Sequence, residues 1–127
     1  MKHNVLLIIT SLLSILLMTI HLTDDINRGM DKGGPLTLIV LPILVAWLYG
    51  TLVLTERRSG YVIVIIGSLL GLLMPVIHMT GAGVGGVIAK SSGAFFFVWT
   101  LIALGVTSLF SIILSVRGLG SLQRPAR

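Results

Sequence analysis

Residues 8–23, IITSLLSILLMTIHLT, and residues 65–80, IIGSLLGLLMPVIHMT, decide how this chain is to be read. Neither contains Asp, Glu, Lys or Arg, and each, apart from its final threonine, lies within a longer apolar run, residues 5–22 and 62–79. Crossing a bilayer core takes about 20 predominantly apolar helical residues. In lipid the backbone must satisfy its own hydrogen bonds, so such runs are helices. Two further uncharged runs, residues 36–54 and 94–116, have the same character. The expectation is an all-α integral membrane protein, a single domain over residues 1–127 with transmembrane helices at 5–22, 36–54, 62–79 and 94–116.

The two quoted segments also align with each other. At an offset of 57 they share nine identities in sixteen positions, among them Ser11 with Ser68, His21 with His78 and Thr23 with Thr80. Leu and Ile match easily in apolar sequence, so the polar residues carry the comparison. Both segments run in the same direction across the membrane. The expected architecture is therefore a four-helix bundle of two parallel helix-pair repeats, related by a pseudo-two-fold axis along the membrane normal. That symmetry puts His21 and His78 at one depth, near the outer boundary.

Small and polar residues share one face of each helix. Ser11, Ser14, Met18 and His21 form one such row, and Ser68, Gly71, Pro75 and His78 another. Residues three and four apart lie on one helical face. Gly67 and Gly71 form a GxxxG pair, and Ala103, Thr107, Ser111 and Ser115 form a ladder on the fourth helix. Such rows let helices approach closely. They are expected to face the bundle interior or a partner subunit.

Composition agrees. Hydrophobic residues make up 55% of the 127 and charged residues 10%, against about 25% charged in soluble domains. Cysteine is absent, which excludes disulfides, thiolate metal sites and cysteine nucleophiles. The net charge of +5 is scattered between apolar blocks, which points to topology and anionic lipid rather than nucleic acid. With both termini inside, the cytoplasmic side holds Lys2, Arg57, Arg58, Arg117, Arg124 and Arg127, and the outer side Arg28, Lys32 and Lys90. Lysine and arginine favour the cytoplasmic side, so the expected location is a bacterial-type cytoplasmic membrane with both termini cytoplasmic. Trp47, Tyr49 and Tyr61 then fall near the inner boundary, and Phe95, Phe96, Phe97 and Trp99 near the outer one.

The connectors complete the picture. Thr23 followed by Asp24 and Asp25 reads as the N-cap of a short interfacial helix. Gly33, Gly34 and Pro35 end one element and open the next. Residues 81–86, GAGVGG, fit the glycine spacing of a dinucleotide loop but follow a membrane helix rather than a strand, so they read as a turning loop.

His21 and His78 are the candidate cofactor-binding residues, because an ionisable group in a membrane span is a functional pointer. Two imidazoles at one depth can ligate a haem from both sides or share a metal ion. Met18, Met74 and Met79 lie nearby and suit copper, while Asp24 and Asp25 can complete a harder site. The candidate metal set is His21, His78, Met18, Asp24 and Asp25. No recognisable catalytic base serves the hydroxyls, and the spans as bounded contain no carboxylate, so the chain is expected not to be an enzyme. The leading functional expectation is a non-catalytic accessory or scaffold subunit that associates with other membrane subunits or with itself. The alternatives are a haem- or metal-binding membrane protein using His21 and His78, and a small oligomeric channel or transporter.

Overall fold

The computed structural model describes residues 2–29, 34–80, 90 and 92–123, apart from the side chains of residues 2, 3, 35–37 and 80. Among the described residues there are four helices and no strand: α1 (Lys2–Asn27), α2 (Pro35–Leu52), α3 (Arg58–Thr80) and α4 (Ala94–Leu122). Three of them, α1, α3 and α4, are long and apolar enough to cross a membrane. The shorter α2 is also apolar and opens on Gly34 and Pro35, where proline's missing N–H costs nothing.

Two boundaries differ from the sequence expectation. The first helix does not stop at Leu22. Thr23 donates its hydroxyl to the Thr19 carbonyl at 2.8 Å, inside a continuous helix rather than at an N-cap. The last turn closes only where Arg28 N–H meets the Asp24 carbonyl and Gly29 takes a φ of 69°. Asp24 and Asp25 therefore belong to the apolar helix, which corrects the expectation that the spans hold no carboxylate. At the other end α4 runs on past Val116 to Leu122. The glycine loop at residues 81–86 lies outside the described residues.

The order of contacts fixes the helix directions. Ser14 donates to Thr107 at 3.0 Å and Ser111 to Thr10 at 3.1 Å, so α1 and α4 are antiparallel. Gly71 faces Ser108, Gly105 faces Pro75 and Tyr61 faces Gly118, so α3 and α4 are antiparallel as well. Gly50 against Ile63 and Gly67 against Trp47 give the same relation for α2 and α3. The first and third helices run parallel. Tyr61 donates to Asn4 at 3.1 Å at one end, and the rings of His21 and His78 lie 4.6 Å apart at the other. Both pairs are 57 residues apart, the offset of the internal alignment. Each of α1 and α3 packs on both α2 and α4, with α4 the larger partner for both.

The interior is small and polar and the exterior large and apolar. Ser11, Ser14, Ser68, Ser108, Ser111 and Ser115 are fully buried, while Leu6, Leu16, Ile66, Leu73, Val106 and Phe110 are exposed. A soluble protein reverses that distribution. In lipid it is the expected one, because small residues allow close packing, and the hydroxyls of Ser11, Ser14 and Ser111 bond across helices. Trp47 belongs to this interior and not to an interfacial belt. Its Nε1 donates to Ser11 at 3.0 Å, and Ser11 is 2.7 Å from the Thr51 hydroxyl. Tyr61 is buried too, and of the aromatic run expected near the outer boundary Phe95, Phe96 and Trp99 are exposed while Phe97 is buried.

Candidate metal centre

At the end of the bundle away from Asn4, four turns of apolar helix deliver His21 inward. It sits on the same face as Ser11, Ser14 and Met18, all buried, and only 1% of its surface is exposed. One turn further along α1, Asp25 occupies the same face, and the parallel α3 brings His78 alongside. The ligand-type atoms of these three residues all lie within 4.8 Å of one another. The Oδ2 atom of Asp25 is 3.4 Å from Nε2 of His21 and 3.5 Å from Nε2 of His78.

The tautomer of His78 follows from its other nitrogen. Nδ1 is 2.9 Å from the Met74 carbonyl. A carbonyl only accepts, so Nδ1 carries the proton, and in the neutral ring Nε2 presents a lone pair to Asp25. Ligating histidines commonly show this arrangement, with the second nitrogen donating to a backbone oxygen. His21 is held differently: neither of its ring nitrogens makes a hydrogen bond although both are buried. Leaving a buried polar group unbonded costs about 1–3 kcal/mol, and the His21 ring carries that cost in common with the hydroxyls of Ser68, Ser108 and Ser115.

Phe97 and Arg28 close the cluster. The Phe97 ring lies 5.4 Å from His21 and 5.5 Å from His78, centre to centre. The Arg28 guanidinium stands over the Phe97 ring, 5.5 Å from its centroid. It donates to Asp24 at 2.7 Å and to the carbonyls of Ser92 and Gly93 at 3.3 and 3.2 Å. This ties the end of α1 to the start of α4, where Gly93 has a φ of 79°.

The sequence had named five candidate residues, and the fold sorts them. His21, His78 and Asp25 converge. Asp24 is turned to Arg28 instead of the imidazoles. Met18 is buried one turn before His21, and Met74 packs against Phe97 and Leu101, while Met79 is exposed. The imidazoles meet edge to face at 4.6 Å between centroids with an interplanar angle of 83°. That contact leaves no flat slot for a porphyrin between them, so the haem variant of the ligand reading does not fit this arrangement. Phe97 and Arg28 were missed as site residues. Phe97 sat within an aromatic run read as an interfacial belt, and the four-residue spacing of Asp24 and Arg28 was the available signal for the ion pair.

Compared with known protein families, curated proteins and solved structures, the chain shows no match to any.

Proposed function

We propose that this chain is a small four-span membrane protein that binds one divalent transition-metal ion through His21, Asp25 and His78. One observation carries the reading: a single carboxylate oxygen stands 3.4 and 3.5 Å from two imidazole nitrogens. Charge-assisted hydrogen bonds are shorter, about 2.7–2.9 Å. Donors bound at about 2.0–2.1 Å around a tetrahedral ion are instead separated by about 3.3–3.4 Å. These two separations match the edges of a coordination shell better than a shared proton, while the ligand atoms of the two imidazoles lie within the wider bound of 4.8 Å. Two imidazoles and a carboxylate form a borderline donor set, suited to zinc, cobalt or iron more than to copper(I).

The accessory-subunit reading is compatible with an ion site but has lost part of its basis. The glycine and serine rows, expected to face either the bundle interior or a partner subunit, are occupied inside the chain, Gly67 by Trp47 and Gly71 by Ser108. The channel reading has less support still, because Ser11, Ser14 and Ser111 spend their hydroxyls on interhelical bonds. The duplication reading draws support from the two parallel contacts 57 residues apart.

The test is metal binding by the full chain in detergent after stripping with a chelator. Calorimetric titration with Zn²⁺ should give one ion per chain. His21→Ala and His78→Ala should each weaken binding by more than the ~10–100-fold typical of losing a ligand's own hydrogen-bond partner. Circular dichroism should show unchanged helix content. Undiminished Zn²⁺ binding by the doubly substituted chain would refute the reading.

A further inference from the structure

Closed structural zinc sites use four protein ligands, whereas sites with three keep a position open. Among the described residues, the cluster offers three donors of the His and carboxylate type. Those donors are not equally enclosed. The His21 side chain is fully buried, but those of Asp25 and His78 retain 12% and 13% exposure. Phe97 packs against both imidazoles. Asp25 and His78 are therefore the two donors whose side chains still reach the surface, although Oδ1 of Asp25 is itself buried.

Charge gives the class of that ligand. A divalent ion beside one carboxylate leaves a net charge of +1. The adjoining Asp24 and Arg28 neutralise each other at 2.7 Å. An uncompensated charge is costly in surroundings of low dielectric, and an anion joining the ion removes it. A thioether cannot do so, because methionine is neutral. Met74 is in any case packed against Phe97 and Leu101.

Resting on the ion-binding reading above, we infer that the ion held by His21, Asp25 and His78 takes a small exogenous anion at its fourth position, entering past Asp25 and His78. The centre is then a metal-dependent anion receptor rather than a structural staple. Hydroxide from solvent and small inorganic anions share the required chemistry, a compact donor with one negative charge.

Cobalt(II) is the probe, because its visible bands report coordination number and ligand exchange. The full chain in detergent, stripped of metal and loaded with Co²⁺, is titrated with sodium azide at constant ionic strength, which holds non-specific salt effects fixed. The expected result is the intense absorption of a four-coordinate ion, shifting saturably with azide. Met18→Leu should show the same starting spectrum and the same azide response. Four-coordinate bands in the wild type that ignore azide would overturn the inference while leaving ion binding intact. A starting spectrum altered by Met18→Leu would do the same, since it would assign the fourth position to the protein. Absence of any cobalt band dependent on His21 and His78 would instead remove the ion-binding reading itself. The two failures are thus distinguishable.

Discussion

Asp24 and Asp25 are chemically identical neighbours, yet the fold gives them different work. Asp25 shares a helical face with His21, four residues earlier, and sits 3.4 Å from it. Asp24 is rotated by about 100° on the helix and bonds Arg28. Asp25→Asn should therefore lower Zn²⁺ affinity by more than ~100-fold, as expected for a ligand rather than a ligand's partner. Asp24→Asn should lower it less than ~10-fold, and the comparison is made by the same calorimetric titration. Equal losses for the two would mean that the site responds to total charge and not to a particular carboxylate. The histidine pair was legible in the sequence, because a 57-residue offset between parallel spans fixed both rings at one level. The choice of carboxylate was not, and the reason is physical. With the apolar helix ended at Leu22 and Thr23 read as the N-cap of a separate interfacial helix, neither acid had a fixed face relative to His21. Continuing the helix by five residues made the spacing of four decisive.

At the scale of elements, the glycines of α3 were legible as close-contact points, but not their partners. Gly67 and Gly71 are one turn apart and serve different neighbours. A Cβ at Gly67 would run into the Trp47 ring, and one at Gly71 into the Ser108 hydroxyl. An indole is rigid, and this one is held by its bond to Ser11, whereas a serine hydroxyl can rotate aside. Gly67→Ala should destabilise the bundle by about 1–3 kcal/mol, the usual cost of overpacking, and Gly71→Ala by less. Unfolding of the detergent-solubilised protein by increasing SDS, followed by circular dichroism, measures both. A reversed order would place the tight α2–α3 contact elsewhere. The tilt of one helix against another depends on such individual contacts, so helix existence could be read from apolar length while helix neighbours could not. The same limit explains Trp47, whose aromatic type fits a membrane interface equally well. Only the glycine opposite it marks a buried position.

For the whole molecule, an ion joining α1 to α3 couples binding to the stability of the bundle. Zn²⁺ at 100 times its dissociation constant should stabilise the fold by about 2.7 kcal/mol, seen as a raised melting temperature that chelator reverses and His78→Ala abolishes. The topology can be argued from the same pair of helices. Since α1 and α3 are parallel, the chain must return between them from the His21 end to the Tyr61 end. Those ends are separated on α1 by residues 4 to 21, about 26 Å of helix. The return is made by α2, whose 18 residues span about 27 Å, close to the thickness of a bilayer core of about 30 Å. This favours a fourth crossing even though α2 is the shortest helix. The natural absence of cysteine makes the test clean, because a single introduced thiol is the only reactive one. Asn27, Ser59 and Ser121 are all exposed, the first at the His21 end and the other two at the Tyr61 end. In intact cells, a membrane-impermeant maleimide should label Asn27→Cys, and should label Ser59→Cys and Ser121→Cys only after permeabilisation. The lysine and arginine balance predicts that sidedness. Labelling of Asn27→Cys and Ser59→Cys from the same side would mean that α2 does not cross, and would rule out the four-span arrangement. Labelling of all three with the sides exchanged would keep four crossings and overturn only the cytoplasmic assignment of the termini.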